Sequence, residues 1–356
     1  MYKKLALSLL LILLVLGVSA CSLVWPKETP QAGLPGTDPL GPSVANGRGE
    51  SFLPTVIPAS GENLRLRTAY LLDYQGRYLV PFVLSINKVE GIAKEVLARM
   101  VDTPENASSL AGTEFQLPLP QNTKVLGMAI REELAVVDFS PDFLSFRDAT
   151  HERLAIDAVL YTLTEFSTIQ RVEIHVSGKV VGQLPSGQRL PTAISRADRD
   201  LNLEVSPVVT DVATGTKVRL YFSSCGPEGG LVYFVPVTRV IPAATDTMTA
   251  AVLELIRGPL SSGSGLSADV PASAELRSLK LSGDTVVVDF SNGLTGYGGG
   301  SMAEQAMLGS IVLTLTDISG ISGTRITVNG QVPSLPEGTD LSQPITRPIF
   351  INPFII

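Results

Sequence analysis

The sequence contains one pattern twice, about a domain length apart. Three short segments of the first copy recur in the second, at 136–140 and 287–291, at 160–164 and 312–316, and at 176–178 and 328–330. The copies are separated by 151 to 155 residues. That spacing is the size of a whole domain rather than of a solenoid repeat. The sequence therefore predicts two copies of one domain.

Each copy has the same predicted order of elements, β-β-α-β-β-α-β. In the first copy they are 67–73, 78–84, helix 92–101, 124–130, 134–139, helix 150–165 and 172–176. In the second copy they are 217–222, 231–240, helix 249–257, 276–281, 285–290, helix 301–316 and 324–328. Because helices must cover an apolar sheet face, we expect an α+β fold. It would comprise two similar small domains, each with a mixed or antiparallel sheet and two helices on one face.

Single residues predict where some elements end or lie. Pro104 is expected to stop the first helix. Pro236 lacks the N–H that a central strand donates, so its strand is expected at a sheet edge or a bulge. Ser301 and Glu304 have the spacing of a capping box, with Ser301 as the N-cap of the last helix.

The N-terminus predicts export and lipidation. Lys3 and Lys4 precede an apolar stretch at 5–16, which is too short to cross a bilayer comfortably. The Val-Ser-Ala-Cys that follows, ending at Cys21, is typical of a lipobox. Residues 1–20 are thus a predicted signal peptide, and Cys21 is the predicted lipidation site. Acyl chains on Cys21 would hold the protein on a membrane.

Composition divides the rest of the chain. Residues 21–61 are rich in proline and glycine without strand or helix periodicity, which predicts a tether. The remaining predicted segments are a first domain at 62–200, a linker at 201–216, a second domain at 217–345 and a C-terminal tail at 346–356. The apolar end of that tail is expected to dock on a domain or on a partner.

The charge excludes some partners. The formal net charge is −7, and removal of residues 1–20 takes two lysines and no acid, which leaves about −9. This argues against nucleic acid as a partner and against a polybasic grip on anionic lipid. Besides Cys21 the chain has one cysteine, Cys225, so no disulfide framework is predicted. Its neighbours Ser-Ser-Cys-Gly-Pro predict an unreactive loop cysteine rather than a reactive thiol.

The sequence shows no motif for catalysis, for a cofactor or for a metal. His151 and His175 do not recur in the second copy, and HExxH, paired CxxC and GxSxG patterns are absent from the sequence. The acids that do recur are Asp138 and Glu152 in the first copy, and Asp289 and Glu304 in the second. Such a pair could act on a glycan as acid and base. We favour a structural interpretation, in which each aspartate binds turn amides and each glutamate caps the start of its helix.

The second copy contains a set of distinctive short segments, which are Val-Pro-Val-Thr-Arg-Val-Ile-Pro at 235–242, Gly-Pro at 258–259, Gly-Leu-Ser at 265–267, Val-Val-Asp-Phe-Ser at 287–291 and the Gly-Gly-Gly-Ser helix start at 298–301. With these segments the second copy resembles the GerM domain of spore-forming bacteria. The first copy keeps Val80-Pro81, the segment 136–140 and the long helix, but it lacks the other stretches. Together the two copies cover residues 62–345.

The resemblance implies a non-enzymatic role in sporulation and germination. Proteins of this family are similar in fold to the ring-building modules of secretion systems. The resemblance therefore implies that this chain is a lipoprotein at the extracytoplasmic face of the cell membrane, expected at the outer forespore membrane of sporulating cells. Its implied partners are proteins of the channel complex between mother cell and forespore, with self-association as a further possibility.

Two other functions stay open from the sequence. The first is an envelope module that binds peptidoglycan or another wall polymer, although aromatic residues, which sugar-binding sites usually use, make up only 6% of the chain. The second is a wall hydrolase that uses Asp138 with Glu152, or Asp289 with Glu304.

Overall fold

The computed structural model describes residues 64–226 and 231–353. The predicted signal peptide, the lipidation site Cys21 and the whole predicted tether lie outside these residues. Among the helices in the described part of the chain, none has the length and apolar character that crossing a bilayer requires.

The described residues form two units that share one order of elements, to which the first unit adds helix α2 and the second adds strand β7. The first unit comprises β1 (Leu64–Leu72), β2 (Leu79–Asn87), α1 (Ile92–Arg99), α2 (Pro104–Ser109), β3 (Val125–Arg131), β4 (Leu134–Phe139), α3 (Ala149–Leu163), β5 (Arg171–Val176) and β6 (Lys179–Val180). The second comprises β7 (Leu203–Val205), β8 (Thr216–Cys225), β9 (Val232–Ile241), α4 (Thr247–Arg257), β10 (Leu276–Ser282), β11 (Thr285–Phe290), α5 (Gly300–Thr316), β12 (Gly323–Val328) and β13 (Ile345–Thr346).

The α+β class with mixed sheets is confirmed. In each unit the strands divide between two sheets. The first unit has the antiparallel hairpin β1-β2 and a four-stranded sheet in the order β3-β4-β5-β6. The second has β7-β9-β8 and the order β10-β11-β12-β13. The pairs β4 with β5 and β11 with β12 are parallel, because the long helices α3 and α5 carry the chain back across the sheet.

The repeated Val-Val-Asp-Phe segment explains why both four-stranded sheets look alike. Strands β4 and β11 both alternate between half-buried and fully buried residues. Val137 and Phe139 in the first unit, and Val288 and Phe290 in the second, are completely buried. Alternation with a period of two puts these side chains on the face that the helices cover.

The expectation that Pro104 stops a helix is only half right. Helix α1 ends at Arg99, but Pro104 then begins α2, which the sequence analysis missed. The hydroxyl of Thr103 accepts from the amide of Asn106 as the N-cap. Proline suits the first position of a helix because the amide there has no partner within the helix. The buried Asn106 side chain donates to the carbonyl of Ala98 and fastens α2 to α1.

The predicted capping box of α5 is wrong. The N-cap is Gly299, with a φ of 112°, and the helix already begins at Gly300. Glycine at the N-cap tolerates this left-handed backbone, so the helix starts before Ser301. Glu304 is therefore too far along the helix to bind the N-cap amide, and its carboxylate serves another purpose, described below.

The predicted edge position of Pro236 holds only locally, because β9 is the central strand of its sheet at residues 238–240. The neighbouring strand β7 pairs only with residues 238–240 of β9, so it does not reach Pro236. The amides of Phe234 and Thr238 point away from β8, toward Asn352 and Leu201. With a period of two, the nitrogen of Pro236 points the same way and costs the β8 ladder no hydrogen bond.

The segments predicted as linker and tail are packed parts of the fold. The linker contributes β7, and Leu201 and Asn202 within it are buried. The tail contributes Thr346 of β13, and Asn352 is only 1% exposed. In the described part of the tail, Ile351 packs against Tyr221, Phe234 and Leu313, whereas Ile349 is 92% exposed.

Candidate functional site

The recurring aspartates hold turns, as the structural interpretation predicted. An Oδ of Asp138 accepts from the amide of Gly178 at 2.8 Å, and Asp289 accepts from the amide of Gly330 at 2.7 Å. Each carboxylate thus fixes the glycine turn that follows the last long strand of its unit. Asp289 also accepts from the hydroxyl of Thr327.

The recurring glutamates hold loops rather than capping their helices, so that part of the prediction is wrong. Buried Glu152 accepts from the amide of Ser186 at 2.9 Å and from its hydroxyl. Buried Glu304 accepts from the amide of Glu337 at 3.0 Å and the amide of Thr339 at 3.1 Å. It also accepts from the hydroxyls of Thr339 and Tyr297.

The pKa of Glu304 follows from this environment. Burial raises it, but the hydrogen bonds from Thr339, Tyr297 and the two amides favour the charged form and lower the pKa overall. A glycosidase acid needs the opposite shift, toward a carboxyl that stays protonated. In both units the aspartate and the glutamate bind different loops, which is an anchoring arrangement.

The histidines and the cysteine also have structural surroundings. His151 donates from Nε2 to the carbonyl of Pro118 at 2.9 Å, while its Nδ1 accepts from the amide of Arg147. Burial lowers the pKa of His151, which favours this neutral form. His175 lies 2.6 Å from an Oε of Glu173. Within residues 64–226 and 231–353, no group of three or more potential ligand side chains could hold a metal ion.

The predicted loop position of Cys225 is wrong. Cys225 is the last residue of β8 and lies opposite Val232 in the antiparallel ladder with β9. Pairing with β9 extends β8 by three residues beyond the strand predicted at 217–222. Cys225 is only partly exposed.

The most distinctive feature of the molecule is the junction between its two units, which the sequence analysis did not predict. The outer edge of β2 faces the outer edge of β9, and the amide side chains of Asn202 and Asn352 join them. Asn202 accepts from the amide of Leu79 at 2.8 Å and donates to the carbonyls of Leu79 and Pro236, each at 2.7 Å.

Asn352 makes the equivalent bonds with the roles of the two units exchanged. It accepts from the amide of Phe234 at 2.7 Å and donates to the carbonyls of Phe234 and Pro81, each at 2.9 Å. Leu79 and Phe234 are equivalent in the two copies, as are Pro81 and Pro236. The junction is therefore pseudo-symmetric, and each asparagine satisfies buried backbone groups of both units. The two prolines suit it, because each places a residue without an N–H on this edge.

The same junction holds a cleft with two matching polar clusters. In the first unit, Tyr70 donates to Glu165 at 3.1 Å, and Arg196 lies 2.6 Å from the same Oε1. In the second unit, Tyr221 donates to Asp317 at 2.7 Å, and Arg347 lies 3.0 Å from that carboxylate. Both arginines also stack on a tyrosine ring, at 4.9 and 5.2 Å from its centroid.

Burial and the nearby Glu165 carboxylate raise the pKa of Tyr70. Burial and the Asp317 carboxylate likewise raise the pKa of Tyr221. Both phenols therefore stay protonated at neutral pH and act as hydrogen-bond donors. The cleft has a volume of about 430 Å³, and Arg219 lines it as a third arginine. A sequence signal existed, since Tyr70 and Tyr221 occupy equivalent positions in the two copies.

The chain consists of two tandem α+β units that are joined edge to edge. Their recurring acids anchor loops, so the class defined by this fold is that of tandem-domain α+β proteins. A family model described as sporulation and spore germination matches residues 68–182 and 219–334, more than half of the chain. The chain belongs to this family.

Two matches to GerM of Bacillus subtilis, one in sequence and one in structure, support the assignment. The chain is 31% identical over 293 residues to the spore germination protein GerM of Bacillus subtilis strain 168, covering 81% of this chain and 78% of that protein. It is also similar to the solved structure of the tandem GerMN domains of the sporulation protein GerM from Bacillus subtilis. That match has a TM-score of 0.69 at 31% identity and covers 81% of this chain and 99% of the solved one. This is therefore a sporulation and germination protein with tandem GerM domains.

Proposed function

We propose that this protein is a non-catalytic lipoprotein that supports assembly of a multiprotein envelope complex during sporulation. Lipid on Cys21 anchors it at the extracytoplasmic face of the membrane, the outer forespore membrane in sporulating cells. Its partners are proteins of the channel complex between mother cell and forespore, and it also contacts copies of itself. Family membership and the absence of a catalytic motif from the sequence support this function.

The observation that carries the proposal is the exposed edge strand of each four-stranded sheet. Strands β3 and β10 are the terminal strands of these two sheets. Their outer faces carry apolar side chains, with Leu126 and Ile130 on β3 at 49% and 44% exposure and Leu281 on β10 at 57%. An edge strand of this kind can accept a strand from a second protein, because its outward backbone groups are available for pairing.

In-cell crosslinking at the onset of sporulation tests the proposal. The tagged full-length protein is crosslinked in sporulating cells of its source, and the captured proteins are identified by mass spectrometry. Channel proteins are expected. The variant Leu281→Lys should reduce their recovery severalfold, since it places a charge on the β10 edge. The matched control Val332→Lys changes a residue that is 48% exposed but lies beyond β12, and it should leave recovery unchanged.

Cys21→Ser provides the second arm, because it should move the protein from the membrane fraction to the soluble fraction. Recovery of wall fragments alone, or of no protein partner, would contradict the assembly function. Equal recovery from Leu281→Lys and Val332→Lys would contradict the role of the β10 edge.

One observation favours the alternative of a wall-polymer module. A cleft of about 760 Å³ opens in the first unit, lined in part by Asp102, Gln121, Asn122 and Asp142. Polar side chains of these types bind sugar hydroxyls. Sedimentation of the purified protein with peptidoglycan tests this function, and Asn122→Ala should release the protein if the cleft binds the polymer.

A further inference from the structure

The cleft between the two units carries more positive charge than its own acids neutralise. Three guanidinium groups line it, from Arg196, Arg219 and Arg347, against the two carboxylates of Glu165 and Asp317. This excess lies in a chain whose formal net charge is −7. A local excess of guanidinium groups in an acidic protein is the arrangement that recognises an anion.

Arg219 breaks the symmetry of the cleft. Arg196 pairs with Glu165, and Arg347 pairs with Asp317. These two carboxylates lie just after the ends of α3 and α5, and each orients its arginine. Arg219 lies on β8 where the first unit has Thr68 on β1, so the second unit adds one cation that the repeat does not require.

The surroundings of Arg219 leave donors for a ligand. Arg219 is half-buried and lies near the phenols of Tyr161 and Tyr221, and the Tyr161 phenol donates to the carbonyl of Arg199 at 2.7 Å. A guanidinium has five N–H donors in a planar fork that matches a carboxylate or a phosphate. Among the described residues Arg219 forms no ion pair, unlike Arg196 and Arg347, so donors of its guanidinium are available to a ligand in the cleft that it lines.

We propose that the cleft binds a small anionic ligand through Arg196, Arg219 and Arg347, with a phosphate or carboxylate as the recognised group. The cleft volume of about 430 Å³ fits a small molecule, and its position between two units is a frequent place for ligand sites. Because Arg219 and Arg347 belong to the second unit and Tyr161 and Arg196 to the first, such a ligand would contact both units. This site is independent of the assembly function proposed above.

Isothermal titration calorimetry on the full-length protein in detergent tests the site. Inorganic phosphate and acetate are titrated separately at constant ionic strength in chloride buffer, and whichever anion binds more tightly identifies the recognised group. Arg219→Thr installs the residue that the first unit carries at the equivalent position. It should weaken binding about tenfold or more, the usual effect of losing a charge-assisted hydrogen bond. Arg131→Thr removes an exposed arginine outside the cleft and should bind like the wild type.

A second variant guards against misfolding of Arg219→Thr. The side chain of Arg196 is 41% exposed, so Arg196→Gln should keep the wild-type circular dichroism spectrum while it also weakens binding about tenfold. The proposal is overturned if the wild type shows no saturable binding of either anion. It is also overturned if folded Arg219→Thr or Arg196→Gln binds as tightly as the wild type, or if Arg131→Thr weakens binding equally.

Discussion

Asn352 gives the sharpest test of how the two units are joined. The change Asn352→Ala removes the amide side chain that bridges Phe234 of β9 and Pro81 of β2 across the junction. Asn352 is 1% exposed, so the backbone groups it contacts are buried with it. We expect this variant to fold but to be clearly less stable than the wild type.

The magnitude follows from three lost hydrogen bonds. Asn352 accepts one from the amide of Phe234 at 2.7 Å and donates two to the carbonyls of Phe234 and Pro81 at 2.9 Å. A typical bond contributes about 1 kcal/mol net, and a buried group left without a partner costs about 1–3 kcal/mol. The free energy of unfolding should therefore fall by about 3 kcal/mol, or somewhat more where water does not reach the site.

Urea unfolding followed by far-ultraviolet circular dichroism measures this loss. Asn202→Ala removes the three equivalent bonds and should lose a similar amount, whereas the control Asn87→Ala changes an exposed residue at the end of β2 and should shift stability by less than about 0.5 kcal/mol. In the double variant Asn202→Ala/Asn352→Ala, the units should unfold separately and the apparent m value should fall. A loss below about 1 kcal/mol for Asn352→Ala, or equal losses for it and Asn87→Ala, would refute the bridging role.

Three further predictions concern the second unit. A Cβ at Gly309 would lie 2.2 Å from the ring of Phe234, so Gly309→Ala should lower the unfolding free energy by about 1–3 kcal/mol in urea unfolding. Because the pKa of Glu304 is lower in the folded chain than its ordinary value of 4.5, the carboxylate stabilises the fold above about pH 4.5 and loses that effect as pH falls through the lowered pKa. The stability difference between wild type and Glu304→Gln, measured by urea unfolding across pH, should therefore be largest near pH 7 and shrink below pH 4.5. Arg239 is 0% exposed and pairs with Glu204 at 2.9 Å and with Glu254 at 3.1 Å. Arg239→Met should cost about 3–5 kcal/mol, because the largely buried Glu204 loses its cation and Glu254 keeps only Arg257.

Matched controls separate these effects from general sensitivity. Gly298→Ala adds a Cβ that meets no atom within 4 Å and should be nearly neutral. Glu90→Gln removes the charge of an exposed acid and serves as the control for Glu304→Gln. Arg189→Met removes an exposed arginine and should change stability by less than about 0.5 kcal/mol. A variant that behaves like its control would contradict the packing, charge or ion-pair argument made for it.

Much of each unit could be predicted from local pattern. The hairpin strands at 134–139 and 285–290 were predicted with the bounds that the structure shows, because period-two alternation reports burial directly. The start of α5 was missed, because the spacing of Ser301 and Glu304 fits a capping box whether Glu304 binds the N-cap amide or other groups. Glu304 instead binds the loop amides of Glu337 and Thr339, which lie more than thirty residues away along the chain.

The candidate site could be predicted only in part. The lipidation site Cys21 rests on sequence alone and stays a prediction. The recurring acids were found from the repeat, and for the aspartates their role as turn anchors was found as well. Neither Asn202 nor Asn352 could be identified from the sequence, because a single asparagine in a polar segment has no periodicity. The partners of Asn352, for example, lie 118 and 271 residues away along the chain.

The sequence by itself determined that the chain is a duplicated α+β protein, because apolar periodicity and a repeat of 151 to 155 residues are written in the order of residues. Only the tertiary structure decided how the copies meet. Two strand edges come together with prolines on their outer sides, two asparagines complete the backbone hydrogen bonds between them, and three arginines converge on one cleft. Those contacts depend on the packing of distant segments, which satisfies buried polar groups wherever the fold places them.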